Sequence, residues 1–283
     1  MKNIKHNRQT HDKIFKVYNL KHKEIYNSIE QKRVKKIVSN LVNNKRDIKV
    51  LDVGAGTGNL SLKFLEFGCQ VNALDVSNKS LKLLKNLSNN NPKLNLVTIE
   101  GKKFPFKDNE FDIVCTYSVL HHIPDYLYTV KEMIRVSKPG GLIYIDHEAN
   151  KNKYFPDKHL KEYKTATKQT FMEHLSKLFK TGELFTPDFL KGVFIKLFIN
   201  KRYQREGDIH VYKDDHIEWD KIKDLFLKNN CKIIEEVDYL LFQPKGGFNL
   251  WNEYKKKTND TKYIVAKKCK NRSGICFKGE NFE

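Results

Sequence analysis

Arginine is nearly missing from this strongly basic chain: seven of its 53 basic residues are arginine, against a formal net charge of +19. Nucleic-acid surfaces lean on clustered cations that release counterions from phosphates. Here the lysines are spread evenly and asparagine and isoleucine are abundant, a compositional bias that puts solvated lysines on most faces, so no nucleic-acid partner is expected. Cysteine is equally sparse. The five residues (Cys69, Cys115, Cys231, Cys269, Cys276) are scattered without a CxxC pair, which implies a reducing, cytoplasmic setting and no zinc or other metal site. Long apolar runs are also missing. The longest in the second half, FLKGVFIKLFI, is broken by Lys191 and Lys196 and is too short to span a bilayer. The start, MKNIKHNRQTHDK, is polar and reads as no signal peptide.

What is present is ample for a core: 39% hydrophobic residues in 283, the size of one large domain or of one domain with an insertion. Periodicity predicts a helix over 11–44, with Ile25, Ile29, Val34, Ile37, Val38 and Leu41 on one face. IKVLDV then reads as a strand buried on both faces, VNALD, LNLVTI and FDIVCTY as the next three, and LIYID, after a KPGG break, as the fifth. The intervening helices carry Leu60, Phe64 and Phe67, then Leu81, Leu84 and Leu87 behind an N-cap at Ser77, then Val130, Met133 and Ile134. Such alternation means an α/β fold, a doubly wound, mostly parallel sheet with helices on both faces.

After Asn150 the rhythm lapses for about 65 residues, too many for a simple loop, which predicts a helical insertion or lid over 150–215. One helix would bury Leu160, Tyr163, Phe171, Leu175 and Leu178, and a second, capped by Thr186, would bury Leu190, Phe194 and Leu197. A helix with Trp219, Ile222 and Phe226, a strand KIIEEVDYLLF, a glycine break at Gly246 and Gly247 and a strand YIVA follow. The expected division is 1–46 helical, 47–149 cofactor-binding core, 150–215 insertion, 216–268 completion of the sheet and 269–283 polar tail.

The chemistry concentrates in VLDVGAGTGNL. Gly54, Gly56 and Gly58 open the first helix and let the backbone pass close to a ligand. A dinucleotide fold prefers GxGxxG with a pyrophosphate on the helix N-terminus. This chain has GxGxG with Asp52 two residues ahead, a carboxylate suited to a ligand bearing an ammonium group. Asp75, ending the second strand, can accept both ribose hydroxyls of an adenosyl ligand, which supports adenosine without separating the two cofactors.

Four stretches together, VLDVGAGTG (50–58), Asp75, FPFKDNEFDIVCTYSVLHHIPD (104–125) and RVSKPGGLIYID (135–146), resemble the class I S-adenosylmethionine-dependent methyltransferases, over roughly 100 residues in the correct order. The resemblance implies a seven-stranded Rossmann-like sheet with its last strand antiparallel. It implies S-adenosylmethionine as cofactor, held by Asp52, Gly54, Ala55, Gly56 and Gly58 at the methionine end, by Asp75 and Val76 at the ribose, and by Ser118 and Val119 on the pocket floor. The chain departs from the family after the third strand, where Lys102 replaces an acid that commonly meets the adenine amine, leaving that contact to Glu100 or a backbone carbonyl.

A sulfonium methyl is already activated, so alignment and exclusion of water dominate, with a general base added for a hydroxyl or protonated amine. His121, His122, His147 and Glu148 are the candidates, at the carboxyl ends of strands four and five. Each has a structural alternative: the histidine pair as a turn cap, and Asp146, His147 and Glu148 as a satisfied strand end. In HVYKDDHIEW, Asp215 reads as an N-cap in preference to a metal ligand, and Phe185, Phe189, Phe194 and Phe198 as helix core in preference to a substrate box. The leading expectation is transfer to oxygen or nitrogen of a small-molecule acceptor. The alternatives are a lipid or quinone methyltransferase touching a membrane through Phe189 to Ile199, an RNA methyltransferase, a non-catalytic cofactor-binding protein and, last, a nicotinamide dehydrogenase.

Overall fold

The computed structural model describes residues 22–168, 170, 172, 178–179, 186–204 and 207–270. Its centre is β1 (Lys49–Val53), in which Val50 and Leu51 point to opposite faces and are both fully buried. Side chains alternate along a strand, so burial on both sides requires a layer on each face. One layer holds α1 (Ser28–Val42) and α2 (Ser61–Glu66), which pack Val34, Val38, Leu41 and Phe64 against Val50, Val71 and Cys115. The other holds α4 (Tyr126–Val136) and α8 (Trp219–Lys228), with Val130, Met133, Ile222 and Phe226 against Leu51, Val114 and Ile143.

Around β1 lie β2 (Gln70–Asp75), β3 (Leu94–Thr98), β4 (Phe111–Tyr117), β5 (Ser137–Ala149), β8 (Cys231–Tyr239) and β9 (Thr261–Lys268), in the order β3-β2-β1-β4-β5-β9-β8. β9 runs antiparallel to both β5 and β8, and the pairs among β1 to β5 are parallel. The expected seven-stranded sheet with an antiparallel last strand is therefore present. The chain leaves β1 toward β2 on one side and reaches β4 on the other, so a crevice opens at the carboxyl ends of these strands. α3 (Asn78–Leu87) starts at Ser77, whose side chain accepts from the Ser80 N–H as expected of a cap.

Several expectations need correction. Within the described residues the first helix starts at Ser28, because the Asn27 side chain accepts from the N–H groups of Ile29 and Glu30 and ends the turn before it. Ile25 is buried ahead of the helix, in that turn. Leu87, at the frayed end of α3, is 46% exposed. KPGG does not precede β5 but forms its first residues, with a register shift against β4 between Phe111 and Ile113. Asp215 is no N-cap: it sits in a two-stranded ribbon of β6 (Val211–Tyr212) and β7 (Asp215–His216) and binds His210, and the N-cap position of α8 falls on Glu218, which makes no side-chain capping bond. Gly246 and Gly247 do not merely break the chain; they open α9 (Gly247–Tyr254), whose Trp251 and Tyr254 pack on Leu160, Tyr163 and Leu240. Cys69, Cys115 and Cys231 are buried free thiols, and Cys269 is disulfide-bonded.

Beyond β5 come α5 (Lys151–Tyr154), α6 (Lys158–Thr167), which buries Leu160 and Tyr163 as expected, and α7 (Pro187–Phe194), continued by a π-helical turn at Ile195–Ile199. Thr186 caps α7 as expected, accepting from the Phe189 N–H. Leu190, Phe194 and Leu197 are not core; they are 60%, 55% and 64% exposed, and Phe198 is 74% exposed. Phe171, Leu175 and Phe185 lie outside the described residues. Among the described residues no helix is long and apolar enough to cross a membrane.

Candidate functional site

The crevice holds a cavity of about 330 Å³ walled by the β1–α2 turn, the end of β2, the turn after β4 and, as a cover, Ile25 and Tyr26. The β1–α2 turn is a left-handed run, with φ of 71°, 52° and 98° at Gly54, Gly56 and Gly58. At Gly54 a Cβ would lie 2.5 Å from both methyl groups of Val119, so only glycine keeps this wall open. Gly58 serves differently: it is not part of the wall, and a Cβ there would meet Leu84 at 2.3 Å, so its bareness lets α2 seat against α3.

Asp75 stands at the cavity edge, only 9% exposed. Its Oδ2 accepts from the Gly56 N–H (2.8 Å) and its Oδ1 from the Ser77 N–H (2.7 Å), which fixes the carboxylate at the cavity edge. Val76, Ala55, Ser118 and Val119 line the cavity. Ser118 has a φ of 59° and donates its N–H to the Asp146 carbonyl (2.9 Å), which makes the floor a sharp, fixed corner.

Asp52, like Gly58, is an expected cofactor residue that does not line the cavity. It faces away from the cavity and accepts from the Ser61 N–H (3.0 Å) and hydroxyl (2.6 Å), tying β1 to α2. Burial pushes its pKa up to about 6, against the two Ser61 bonds, which favour the charged form. Glu100 is exposed and does not line the cavity. At that end the wall is made by Ile99, Gly101, Phe104 and Lys102, and Lys102 is paired with Asp125 at 3.0 Å.

Three wall residues were not anticipated. Tyr26 and Thr57 meet through their hydroxyls at 3.3 Å. Asn59 accepts at Oδ1 from Gln31 (2.9 Å) and Lys63 (3.1 Å), which fixes its amide orientation and leaves Nδ2 as a buried donor without a partner among the described residues. Burial lowers the pKa of Lys63 to about 8. No local pattern in the sequence announces this, because the contacts join Gln31 on α1 to Asn59 and Lys63 at the start of α2.

Of the four acid–base candidates, His122 lines the cavity. His121 stands beside it, ring centroids 4.1 Å apart, and donates from Nδ1 to Glu148 Oε2 (2.8 Å). Glu148 is fully buried, its Oε1 accepting from the N–H groups of Val119 (2.8 Å) and Leu120 (2.7 Å). It reaches them because β5 carries a bulge between Ile145 and Glu148, with His147 at a φ of 62°. His147 itself turns off the cavity and stacks on Tyr117, and burial pulls its pKa below the ordinary value. His210, from the second histidine-rich stretch, is structural: Nε2 donates to the Ile123 carbonyl (3.0 Å) and Nδ1 meets Asp215.

Behind Tyr117 lies a buried polar cluster. Arg33 donates to Glu30 (2.5 Å), Asp146 (2.7 Å) and Tyr239 (2.9 Å), and Tyr117 donates to Glu30 (2.7 Å). Burial opposes the charge on Arg33, but Asp146 and Glu30 raise its pKa above the ordinary range. The cluster clamps α1, and with it the covering Ile25–Tyr26 turn, to the ends of β4, β5 and β8.

A glycine turn at the end of β1, a buried acid at the end of β2 and a left-handed corner after β4 surround the cavity on a sheet of the Rossmann-like methyltransferase fold, and residues 51–145 match the methyltransferase-domain family. The chain is 32% identical over 149 residues, half its own length, to the demethylmenaquinone methyltransferase of Staphylococcus aureus, and spans 62% of that relative. Among solved structures it is similar to phosphoethanolamine N-methyltransferase 2 of Haemonchus contortus in complex with S-adenosyl-L-methionine (TM-score 0.55, 16% identity, 91% of this chain and 57% of that one). It is also similar to a methyltransferase of Methanosarcina mazei (TM-score 0.52, 17% identity, 83% and 98%). At these identities the structures speak for the fold alone.

Proposed function

We propose that the protein transfers the methyl group of S-adenosylmethionine to an oxygen or nitrogen of a small-molecule acceptor. The observation that carries this reading is the fixed Asp75 carboxylate at the edge of a cavity, bonded to a turn in which only glycine keeps the wall open. In this reading Asp75 accepts the ribose hydroxyls, Gly54 and Gly56 let the methionine chain pass, and the Asn59 amide donates to the methionine carboxylate. The cofactor supplies an electrophilic sulfonium methyl when bound. The protein's part is to align the acceptor, exclude water beneath Tyr26 and receive a proton at the His121–His122 pair. A test is isothermal calorimetry with S-adenosylmethionine on the wild type and on Asp75→Ala and Asp75→Asn, followed by transfer of labelled methyl to a metabolite extract. Equal affinity in all three proteins would remove the basis of the site. Binding without any transfer would leave a cofactor-binding protein that does not turn over.

A second reading, methylation of a lipid or quinone at a membrane surface, is favoured by α7 and the turn after it. Leu190, Phe194, Leu197, Phe198 and Ile199 are exposed side by side, with Lys191, Lys196 and Lys201 among them, the pattern of a helix that lies in an anionic interface. The curated relatives named for demethylmenaquinone point the same way. Flotation with anionic liposomes separates the readings: the wild type should float and a Leu197→Ser/Phe198→Ser variant should not, whereas a protein that stays at the bottom is an enzyme of dissolved acceptors.

A further inference from the structure

Two imidazoles and a carboxylate converge beside the cavity. His122 Nδ1 lies 3.1 Å and His121 Nε2 3.8 Å from Asp208 Oδ1, and the three atoms all fall within 4.8 Å of one another. Ligands bound at about 2.0–2.2 Å around a tetrahedral zinc ion stand roughly 3.3–3.6 Å apart, so small side-chain shifts would close this trio on one ion. The nitrogen of His121 that faces away, Nδ1, is held by the buried Glu148. A carboxylate behind a histidine fixes the proton on Nδ1 and presents the Nε2 lone pair, the arrangement found behind ligating histidines. Asp208 is held in place as well. The N–H groups of Ile209 and His210 both donate to the His121 carbonyl (3.0 and 3.1 Å), and His210 Nε2 donates to the Ile123 carbonyl (3.0 Å).

We propose that His121, His122 and Asp208 bind a divalent transition-metal ion of the zinc class, leaving an open coordination position on the side where His122 lines the cavity. Two imidazoles and one carboxylate suit zinc and its neighbours, whereas magnesium and calcium prefer oxygen donors. Asp208 comes from the far end of the 150–215 segment, so no local spacing announces the trio, which explains why the sequence reads as lacking a metal site. With the ion bound, the His121 and His122 lone pairs are engaged and the pair receives no proton; an acceptor oxygen taken up at the open position would instead ionise at lower pH than in water. That consequence rests on the methyl-transfer reading; the ion site does not.

The full-length protein, stripped with a chelator, is titrated with Zn²⁺ in a calorimeter and with Co²⁺ by visible absorption. The expected result is one saturable equivalent and the intense absorption of four-coordinate cobalt. His122→Gln and Asp208→Asn should weaken binding by more than about 100-fold, since loss of an outer partner alone costs about 10- to 100-fold. Glu148→Gln is a sharper probe. Its oxygen can keep the Val119 and Leu120 N–H groups while its amide donates to His121 Nδ1, moving the imidazole proton to Nε2 and abolishing that ligand. His159→Gln, at an exposed histidine paired with Glu162 on α6, should bind as the wild type does. The proposal is overturned by a cobalt spectrum like that of the aqueous ion, or by folded His122, Asp208 and Glu148 variants that retain wild-type zinc affinity. Calorimetry with S-adenosylmethionine on the same preparation reads the cofactor site separately.

Discussion

Replacing Arg33 with methionine should remove a large part of the protein's stability. The guanidinium is 22% exposed and faces Glu30, 3% exposed, and Asp146, wholly buried, while its plane stacks 4.0 Å over the Tyr239 ring. Removing one partner of a buried ion pair strands the other, at a cost of about 3–5 kcal/mol. The lost stacking adds on the order of 1 kcal/mol, and the methionine side chain returns a similar amount through apolar burial. A net loss of about 3–5 kcal/mol is thus expected, a large fraction of the ~5–15 kcal/mol that holds a typical domain. Urea unfolding at neutral pH reads it as a lower midpoint with an unchanged slope. Adding Glu30→Gln and Asp146→Asn to Arg33→Met should recover much of the loss, because the stranded charges go with them. A loss below about 1 kcal/mol, the size of a surface pair, would refute the assignment of a buried cluster. Because Tyr117 donates to Glu30 and lines the cavity, cofactor affinity should fall in Arg33→Met and return in the triple variant.

Gly54→Ala puts a methyl group into Val119 at a left-handed position, combining a backbone cost of about 1–2 kcal/mol with overpacking of ~1–3 kcal/mol; thermal melts should show the loss, and calorimetry should show S-adenosylmethionine binding abolished. Asn59→Leu removes the buried amide donor and should weaken cofactor binding by about 1.5–3 kcal/mol, the worth of a hydrogen bond to a charged group, with adenosine binding unchanged in the same titration. Asp52 sets a pH dependence: its folded pKa of about 6 exceeds the unfolded value, so the native state holds the extra proton and this group's contribution to stability falls as pH rises through about 6. Asp52→Asn should therefore be more stable than the wild type at pH 8, by up to about 3 kcal/mol, and equal to it near pH 4, as differential scanning calorimetry would show.

The parts of the fold that were legible in sequence are those where one residue type can answer one local demand. FDIVCTY is apolar because both its faces are covered, and β4 spans those seven residues. Ser77 caps α3 because a hydroxyl there reaches the third N–H, and Asp75 ends β2 where a carboxylate meets the crevice. What failed depended on tertiary neighbours. Asp52 looked like a ligand because of its spacing to the glycines, but a strand alternates its faces, and this one points Asp52 at Ser61. Leu190, Phe194 and Leu197 have core periodicity, yet they are exposed on α7 and the turn after it, and periodicity carries no information on whether a partner surface is there. Asn59 became a donor only through Gln31 and Lys63, and Asp208 reached His121 only through backbone bonds across the insertion. The α9 helix was hidden by the two glycines that begin it.

A crystal structure of the protein grown with S-adenosylmethionine tests the central claim most directly. The account predicts the ribose hydroxyls on the Asp75 carboxylate, the methionine chain passing Gly54 and Gly56, and the methyl group on the Ser118–His122 side of the cavity. Cofactor density elsewhere, or a cavity filled by a different ligand in saturating cofactor, would contradict it.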